Sequence, residues 1–234
     1  ASTDTRFKVL RTDSSVHSVG PSCARNLGLE SALGHYVCFL DIDDRWFSCK
    51  LQSQASRIAQ DPDLGLLFSA YFRAPLGLRH GAVLRSPPPR VFLRQYAAVA
   101  NPIPMLTACV RRDLVNYLRF EDANHEDYIF WWHLLFSLPL AQVFVDREPL
   151  AVYRVDRSSL SGDKSKAVFW IWNCYRRFGY SRFCASAALL ARGLLQAFLL
   201  LEQKIAGYSV CGCYICNCAQ TEGSPFDSSC SCRS

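Results

Sequence analysis

The sequence predicts an α/β fold, in which helices pack against a central sheet. Apolar runs of strand length alternate along the chain with longer segments of helical character. Half of the 234 residues are hydrophobic and 20% are charged, which is enough apolar material for a substantial core. We expect one principal domain with a mainly parallel sheet, because strands that alternate with helices usually form βαβ units.

The first third of the chain supplies alternating strands and helices. We predict strands over residues 7–10, 36–40 and 64–72, and helices over 21–33 and 48–60. Pro21 is favoured in a first helical turn, and Gly34 and the pair Asp61-Pro62 are helix-ending signals. The run 36–40 combines aromatic and β-branched residues, which is typical of a buried strand.

The remaining elements are predicted from prolines and from breaks in the apolar pattern. Residues 73–90 contain a triple proline and are predicted to form a loop. We then predict a strand over 105–110, a helix over 125–138 that Pro139 stops, and a strand pair over 143–145 and 150–153. From residue 164 to 204 the pattern is helical, with a break at 179–181.

An acidic cluster directly follows the predicted strand 36–40. Asp41, Asp43 and Asp44 crowd three carboxylates into four residues, and such groups resist joint ionisation unless a cation compensates them. In open α/β sheets, ligands collect at the carboxyl ends of strands. Oxygen ligands of this kind suit Mg²⁺ or Mn²⁺. The alternative interpretation is a solvated acidic turn that merely ends the strand.

The flanks of this cluster resemble a known family. Residues 20–54 contain Gly20, Ala24-Arg25-Asn26, the segment Phe39-Leu40-Asp41-Ile42-Asp43-Asp44 with Trp46, and then Lys50-Leu51 with Gln54. This order resembles the family 2 glycosyltransferases, inverting enzymes of GT-A fold that use nucleotide-activated sugars. The resemblance implies a GT-A domain with C-terminal helices, a Mn²⁺ or Mg²⁺ site at Asp41, Asp43 and Asp44, and donor binding by Arg25 and Asp41.

A second acidic pair, Glu126 and Asp127, opens the predicted helix 125–138. Carboxylates in a first helical turn are favoured by the helix dipole. This effect is the alternative, non-catalytic explanation of the pair. Family 2 enzymes carry a Glu-Asp pair here, and the resemblance implies that Asp127 is the general base and that Glu126 supports it. Such a base removes the proton of the acceptor hydroxyl, while a metal offsets charge on the leaving diphosphate.

Residues 150–161 form a third family-like segment, which resembles bacterial surface-polysaccharide and teichuronic-acid-type transferases. Arg154 and Arg157 either hold phosphate oxygens of the donor or form a solvated face. Many members of the family have His where Asp156 stands. The resemblance therefore implies a supporting role for Asp156 as a hard ligand near the metal or diphosphate.

The resemblance also divides the chain. We expect an incomplete GT-A domain over 1–162, a helical and membrane-associating segment over 163–206, and a Cys-rich tail over 207–234. The opening Ala1-Ser2-Thr3-Asp4 looks like the end of the family's second motif, so a strand–helix–strand unit of about 30 residues is expected to be missing. We therefore expect residues 1–234 to bind a nucleoside diphosphate weakly or not at all.

Cysteine usage differs between the body and the tail. Six cysteines are scattered singly before residue 210, which is typical of buried thiols in a reducing compartment. The tail has the pattern Cys211-x-Cys213-x2-Cys216-x-Cys218. It is interpreted as a disordered appendage or the product of a shifted reading frame, with a soft-metal site as the alternative.

Charge and targeting signals limit the partners and the location. The net charge of +6 is spread over the chain and no nucleic-acid-binding motif accompanies it, so nucleic acid is excluded as the expected partner. The expected partners are a nucleoside-diphosphate-sugar donor, a saccharide or lipid-linked saccharide acceptor, and a membrane surface. We expect a cytoplasmic protein held peripherally on the inner face of the cell membrane. The alternative function is an inactive fragment or a non-catalytic membrane-associated module with a vestigial metal site.

Overall fold

The structure is a computed structural model that describes residues 6–12, 20–75, 82–155 and 164–206, with side chains within the last range described from 167 to 201. The α-helices in these ranges are α1 (Pro21–Ser31), α2 (Lys50–Gln60), α3 (Leu93–Ala97), α4 (Arg112–Val115), α5 (Glu126–Ser137), α6 (Lys164–Arg177) and α7 (Arg182–Ala206). Short 3₁₀ turns cover Arg90–Phe92, Met105–Thr107 and Leu140–Gln142.

The strands are β1 (Tyr36–Cys38), β2 (Arg45–Trp46), β3 (Leu66–Pro75), β4 (Val83–Arg85), β5 (Cys109–Arg111) and β6 (Val143–Val155). They form one sheet in the order β1-β5-β3-β6-β2, and β4 pairs with β3 off this path. The α/β prediction is confirmed. The prediction of a mainly parallel sheet is wrong, because only β3 and β6 run parallel among the described pairs and the other neighbours are antiparallel.

Several predicted elements differ from those observed. Residues 7–10 are exposed and irregular instead of a strand. The predicted loop 73–90 contains the end of β3 and all of β4. The predicted strand 105–110 is a 3₁₀ turn followed by β5. The predicted strands 143–145 and 150–153 are parts of the single strand β6, which continues past Pro149. The register of β6 with β3 shifts at this proline, and a strand tolerates proline at such an irregularity.

The main core lies between the sheet and α5. This helix is apolar nearly all round, as expected of a helix covered on both sides, and Tyr128, Ile129, Phe130 and Trp131 are almost completely buried. Phe39, just beyond β1, packs edge-on against Phe130 and Trp131. This packing fixes the end of β1 against the N-terminal half of α5, so the two acidic segments approach each other.

Helices α6 and α7 form a second layer on the far side of α5. Ile171, Cys174 and Tyr175 of α6 and Ala185 and Ala188 of α7 join Tyr128 and Ile129 in a separate apolar cluster. The remaining surface of α7 is largely uncovered. The segment Arg182–Leu201 is long and apolar enough to cross a membrane by length and composition, and 11% of it is buried in the described structure.

Candidate functional site

The acidic residues after β1 form a tight turn, named here the acidic turn (residues 41–44). The amide of Asp44 donates to the carbonyl of Asp41 at 3.0 Å, and the intervening Ile42 is fully exposed. Asp43 is exposed, whereas the Asp44 carboxylate folds back and is only 8% exposed. The three carboxylates therefore lie in clearly different environments.

Arg154, near the end of β6, holds the acidic turn in place. Its backbone amide donates to Asp44 Oδ1 at 3.2 Å. Its guanidinium donates through Nε to the carbonyl oxygen of Asp43 and through Nη2 to that of Ile42 at 3.3 Å. The predicted donor-binding residue thus lies directly on the acidic turn, and in this structure it contacts the backbone of the turn.

Arg25 of α1 joins the acidic turn to the helix-start pair (Glu126 and Asp127). Its Nη2 donates to both carboxylate oxygens of Asp41 at 3.0 and 2.9 Å, and its Nη1 donates to Glu126 Oε1 at 2.6 Å. Arg25 and Glu126 are largely buried, while Asp41 is 44% exposed. Burial lowers the pKa of Arg25, but the two carboxylates raise it by more, so the net pKa is raised.

Asp127 begins the first turn of α5 and is oriented by Asn101. The Asn101 amide donates from Nδ2 to Asp127 Oδ2 at 2.9 Å, and its Oδ1 accepts from the backbone amide of Ile103 at 3.1 Å. The second bond fixes which end of the Asn101 amide faces Asp127. Asn101 therefore acts as a rigid donor to one oxygen of Asp127.

Asp127 has a raised pKa of about 6. Burial is the main cause and the charge of Glu126 adds to it, whereas the Tyr128 amide, Arg25 and the Asn101 hydrogen bond act in the opposite direction. A carboxylate with this pKa is ionised at neutral pH, yet it is a stronger base than an exposed aspartate.

Asp44 has a pKa raised to about 7. Burial again is the largest cause; the Arg154 amide lowers this pKa, and the charges of Asp43 and Asp41 raise it. The acidic turn thus carries negative charge that Arg25 and Arg154 offset only in part. Uncompensated oxygen donors of this kind suit a divalent cation.

The structure brings together Asp41, Arg25 and Glu126 directly, with Asp44, Asp43 and Arg154 on one side and Asp127 on the other. No group of three His, Cys, Asp or Glu side chains converges on a common metal position within the described residues. Among the described residues, the Asp43 carboxylate has no hydrogen-bond or ion-pair partner. Asp156, Arg157 and the cysteines of the tail lie outside the described residues.

Sequence reasoning assigned no role to two residues of this region. Asn101 lies in a proline-rich connection with no periodic signal, so only its contact with Asp127 identifies it. Tyr153 of β6 has a raised pKa, caused by burial and by the charges of Asp44, Asp43 and Asp127. The phenol of Tyr153 therefore lies in the field of both acidic segments.

A groove of about 400 Å³ leads away from the ion-paired centre. One wall is α1, with Gly28, Leu29 and Leu33, and the other is β1 and the residues after it, ending at Asp41. Arg25 also lines this groove. The groove is mostly apolar at its outer end and charged where it meets Arg25 and Asp41.

No protein-family model matches the chain. It is 28% identical over 172 residues to an uncharacterised glycosyltransferase of Haemophilus influenzae, covering 74% of this chain and 66% of that protein. It is 27% identical over 194 residues to WfgD of Escherichia coli, a UDP-Glc:α-D-GlcNAc-diphosphoundecaprenol β-1,3-glucosyltransferase, covering 74% and 69%. It is 27% identical over 172 residues to TuaG of Bacillus subtilis, a glycosyltransferase named for teichuronic acid biosynthesis, covering 67% and 61%.

These relatives are glycosyltransferases, and those named for a pathway belong to bacterial surface-polysaccharide synthesis, which confirms the relationship predicted from residues 20–54. The matched region spans 61% to 69% of the relatives' own length. Among solved structures, Staphylococcus aureus TarS 1–349 matches with a TM-score of 0.48 at 17% identity, covering 73% of this chain and 49% of that one. The mannosyltransferase PcManGT of Pyrobaculum calidifontis, in complex with GDP-Man and Mn²⁺, matches with 0.45 at 16% identity, covering 87% and 65%.

Proposed function

We propose that this chain, a homologue of bacterial surface-polysaccharide glycosyltransferases, carries the donor-side and base residues of an inverting sugar transfer. The donor is a nucleoside-diphosphate sugar and the acceptor is a saccharide hydroxyl. The observation that carries this proposal is the bridge made by Arg25 between Asp41 and Glu126. The bridge holds the acidic turn and the residue beside Asp127 in one site. An in-line transfer requires both segments in one site, because the base and the leaving group act on opposite sides of the same anomeric carbon.

Asp127 takes the role of general base. Its raised pKa makes it a competent proton acceptor that is still ionised at neutral pH. As the acceptor oxygen attacks the anomeric carbon, its proton passes to Asp127, the bond from that carbon to the diphosphate breaks, and the configuration inverts. Asn101 donates to one oxygen of this carboxylate and so fixes its orientation for proton transfer.

The acidic turn supports the leaving diphosphate. Asp43 and Asp44 would hold Mn²⁺ or Mg²⁺ there, and a bound ion would offset the charge that develops on the diphosphate. Asp41 is engaged by Arg25 on both oxygens, so it orients the turn. Arg154 pins the backbone of the turn and lies close enough to contribute positive charge to the diphosphate oxygens.

The acceptor class follows from α7 and from the relatives. WfgD acts on an acceptor linked to diphosphoundecaprenol, and such a lipid is confined to the membrane. Phe183, Leu190, Leu194 and Phe198 of α7 are all more than half exposed, and an apolar helix surface of this kind binds a membrane interface. We therefore assign a lipid-linked saccharide acceptor and a location on the inner face of the cell membrane.

The test is the substitution Asp127→Asn, with sugar transfer from a nucleoside-diphosphate-sugar donor as the readout. We expect transfer to fall about 10³-fold, within the usual range for loss of a general base, while donor binding measured by calorimetry is unchanged. Asp122→Asn is the matched control, because Asp122 is an exposed carboxylate close by in the chain. Turnover by Asp127→Asn equal to that of the control would refute the base assignment.

A further inference from the structure

Two cysteines that are far apart in sequence face each other in the sheet. Cys38 of β1 is directly opposite Cys109 of β5 in the antiparallel register. Both are free thiols, and neither takes part in the proposed transfer reaction. The pair lies on the face of the sheet covered by α2, beside Leu64, Leu67 and Ile58.

The hydrogen-bond pattern defines the geometry of this pair. The amide of Arg112 donates to the carbonyl of His35 at 2.8 Å, and these residues are opposite each other one step beyond the pair Tyr36 and Arg111. Hydrogen-bonded and non-hydrogen-bonded pairs alternate along an antiparallel ladder, so Cys38 and Cys109 form a non-hydrogen-bonded pair. Such pairs have Cα atoms about 4.5 Å apart with their side chains close together, a separation that a disulfide spans.

A buried lysine lies beside the pair. Lys50 of α2 is completely buried; its Nζ donates to Gln54 Oε1 at 2.8 Å and lies 4.2 Å from the centre of the Trp46 ring. The pKa of Cys38 is lowered to about 7, first by a hydrogen bond from Cys109 and then by the charge of Lys50, against the effect of burial. The same contact with Cys38 and burial raise the pKa of Cys109.

The two thiols differ in their access to solvent. Cys38 is half-buried, so of the two thiols it is the more accessible to a small oxidant. Cys109 is only 4% exposed. This arrangement of an accessible, ionisable thiol next to a sheltered one is that of a reactive cysteine with its resolving partner.

We propose that Cys38 and Cys109 are a peroxide-sensitive pair that closes to a disulfide across the β1–β5 ladder. The Cys38 thiolate attacks one oxygen of hydrogen peroxide, the O–O bond breaks, and Cys38 sulfenic acid and hydroxide form. The Cys109 sulfur then attacks the Cys38 sulfur, its proton neutralises the departing hydroxide, and water is released. Both thiols are oxidised, peroxide is reduced, and a cellular dithiol reverses the step by exchange.

The other described cysteines provide an internal comparison. Cys23 is half-buried, Cys49 and Cys184 are exposed, and Cys174 is buried with its thiol donating to the carbonyl of Asn124 at 3.7 Å. None of these has a cysteine opposite it in the described sheet. Oxidation of Cys38 ahead of the exposed Cys49 and Cys184 would therefore reflect its surroundings and not simple exposure.

The test is peptide mapping of the folded 234-residue chain after brief treatment with a small excess of hydrogen peroxide at pH 7, followed by alkylation. We expect the Cys38 and Cys109 peptides to be recovered joined, and Cys38 to be lost faster than Cys49. In Cys109→Ser, the resolving thiol is absent, so Cys38 is expected to accumulate as sulfenic acid that dimedone traps.

Lys50→Met separates the effect of the lysine from that of the pair, since methionine nearly conserves the side-chain volume. We expect Cys38 oxidation to slow about threefold, because a lower thiolate fraction is partly offset by higher nucleophilicity. The proposal is overturned if Cys49 reacts first in the unsubstituted chain, or if Cys38 is recovered joined to a cysteine of the tail and not to Cys109. Neither result depends on whether Lys50→Met folds.

Discussion

The acidic turn and the helix-start pair have similar composition but are held in opposite ways. The acidic turn lies at the surface and is fixed mainly through its backbone, by Arg154. The helix-start pair is more enclosed and is fixed through its side chains, by Arg25 and Asn101. Both segments contain one carboxyl group with a raised pKa, Asp44 in the first and Asp127 in the second.

This difference suits the two segments to different roles, cation binding and proton transfer. A turn held by its backbone leaves the carboxylate of Asp43 directed to solvent, which suits a hard cation that exchanges water and phosphate oxygens. A carboxylate held through its own oxygen has a fixed direction, which suits proton transfer. Arg25 contacts both segments, so its removal is the strongest way to uncouple them.

Arg25→Met is expected to lower the free energy of unfolding by about 2–3 kcal/mol, because it leaves the largely buried Glu126 and its partner Asp41 without their cation. Urea unfolding at pH 7 measures this. Arg119→Met is the control, since Arg119 pairs with Glu30 at the surface and should change stability by less than about 0.5–1 kcal/mol. Equal losses of unfolding free energy in the two variants would show that the Arg25 bridge stabilises the protein no more than a surface ion pair does.

Asp44→Asn is expected to make the protein more resistant to urea at pH 8, with a smaller difference at pH 5. The pKa of Asp44 in the folded protein is above its unfolded value, so the contribution of Asp44 to stability is greatest at low pH and is lost as pH rises through about 7. Between pH 5 and 8 the unsubstituted protein should lose about 1–2 kcal/mol relative to the variant. Asparagine retains an oxygen for the Arg154 amide.

Asp63→Asn is the control for this measurement, because Asp63 is an exposed aspartate. Its stability relative to the unsubstituted chain should be the same at both pH values. An Asp44→Asn difference that shrinks between pH 5 and 8 would contradict the assigned direction of the Asp44 shift.

Asn101→Ala is expected to raise the pKa of Asp127 further, since it removes a hydrogen bond that favours the ionised form. A bond of about 1 kcal/mol corresponds to an increase of about 0.7. Titration of the Asp127 carboxyl carbon by NMR measures it, with Asn116→Ala at an exposed asparagine as the control. An unchanged or lowered pKa would mean that Asn101 does not position the base.

Asp43→Asn should have the smallest effect on stability, within about 0.5 kcal/mol, because Asp43 is exposed. The same substitution should weaken Mn²⁺ binding, followed by electron paramagnetic resonance, by more than about tenfold if Asp43 is a ligand. Asp63→Asn again serves as the control. Mn²⁺ binding that is equal in the two variants would exclude Asp43 from the metal site.

The two acidic segments that the sequence singled out lie together in the structure, whereas the sheet that supports them was predicted less well. The acidic turn and the helix-start pair stand where a strand ends and a helix begins, and both boundaries have local signals. The directions of the strands depend on which distant segments pair, and hydrophobic periodicity does not contain that information. This is why β2 and β4 were not predicted, β5 was predicted only in part, and the antiparallel pairings were not predicted at all.

The same limit explains the contacts that only the structure reveals. Asn101 reaches Asp127 from a separate connection, and Cys38 reaches Cys109 through strand pairing. Viewed singly in the sequence, each of these residues has an unremarkable neighbourhood. The motif Lys50-Leu51 with Gln54 is a further case, because its polar atoms are buried and tie α2 to the carbonyl of Thr107.

The residue before the helix-start pair restricts how this region can vary among related proteins. His125 adopts φ 58 and ψ 41, a left-handed conformation that glycine and asparagine adopt readily and that β-branched residues strongly resist. The backbone conformation at position 125 therefore limits which residues are tolerated there, before the chemistry of the side chain matters. A divergent relative is free to exchange histidine for glycine or asparagine there, whereas valine or isoleucine would redirect the start of α5 and displace the base.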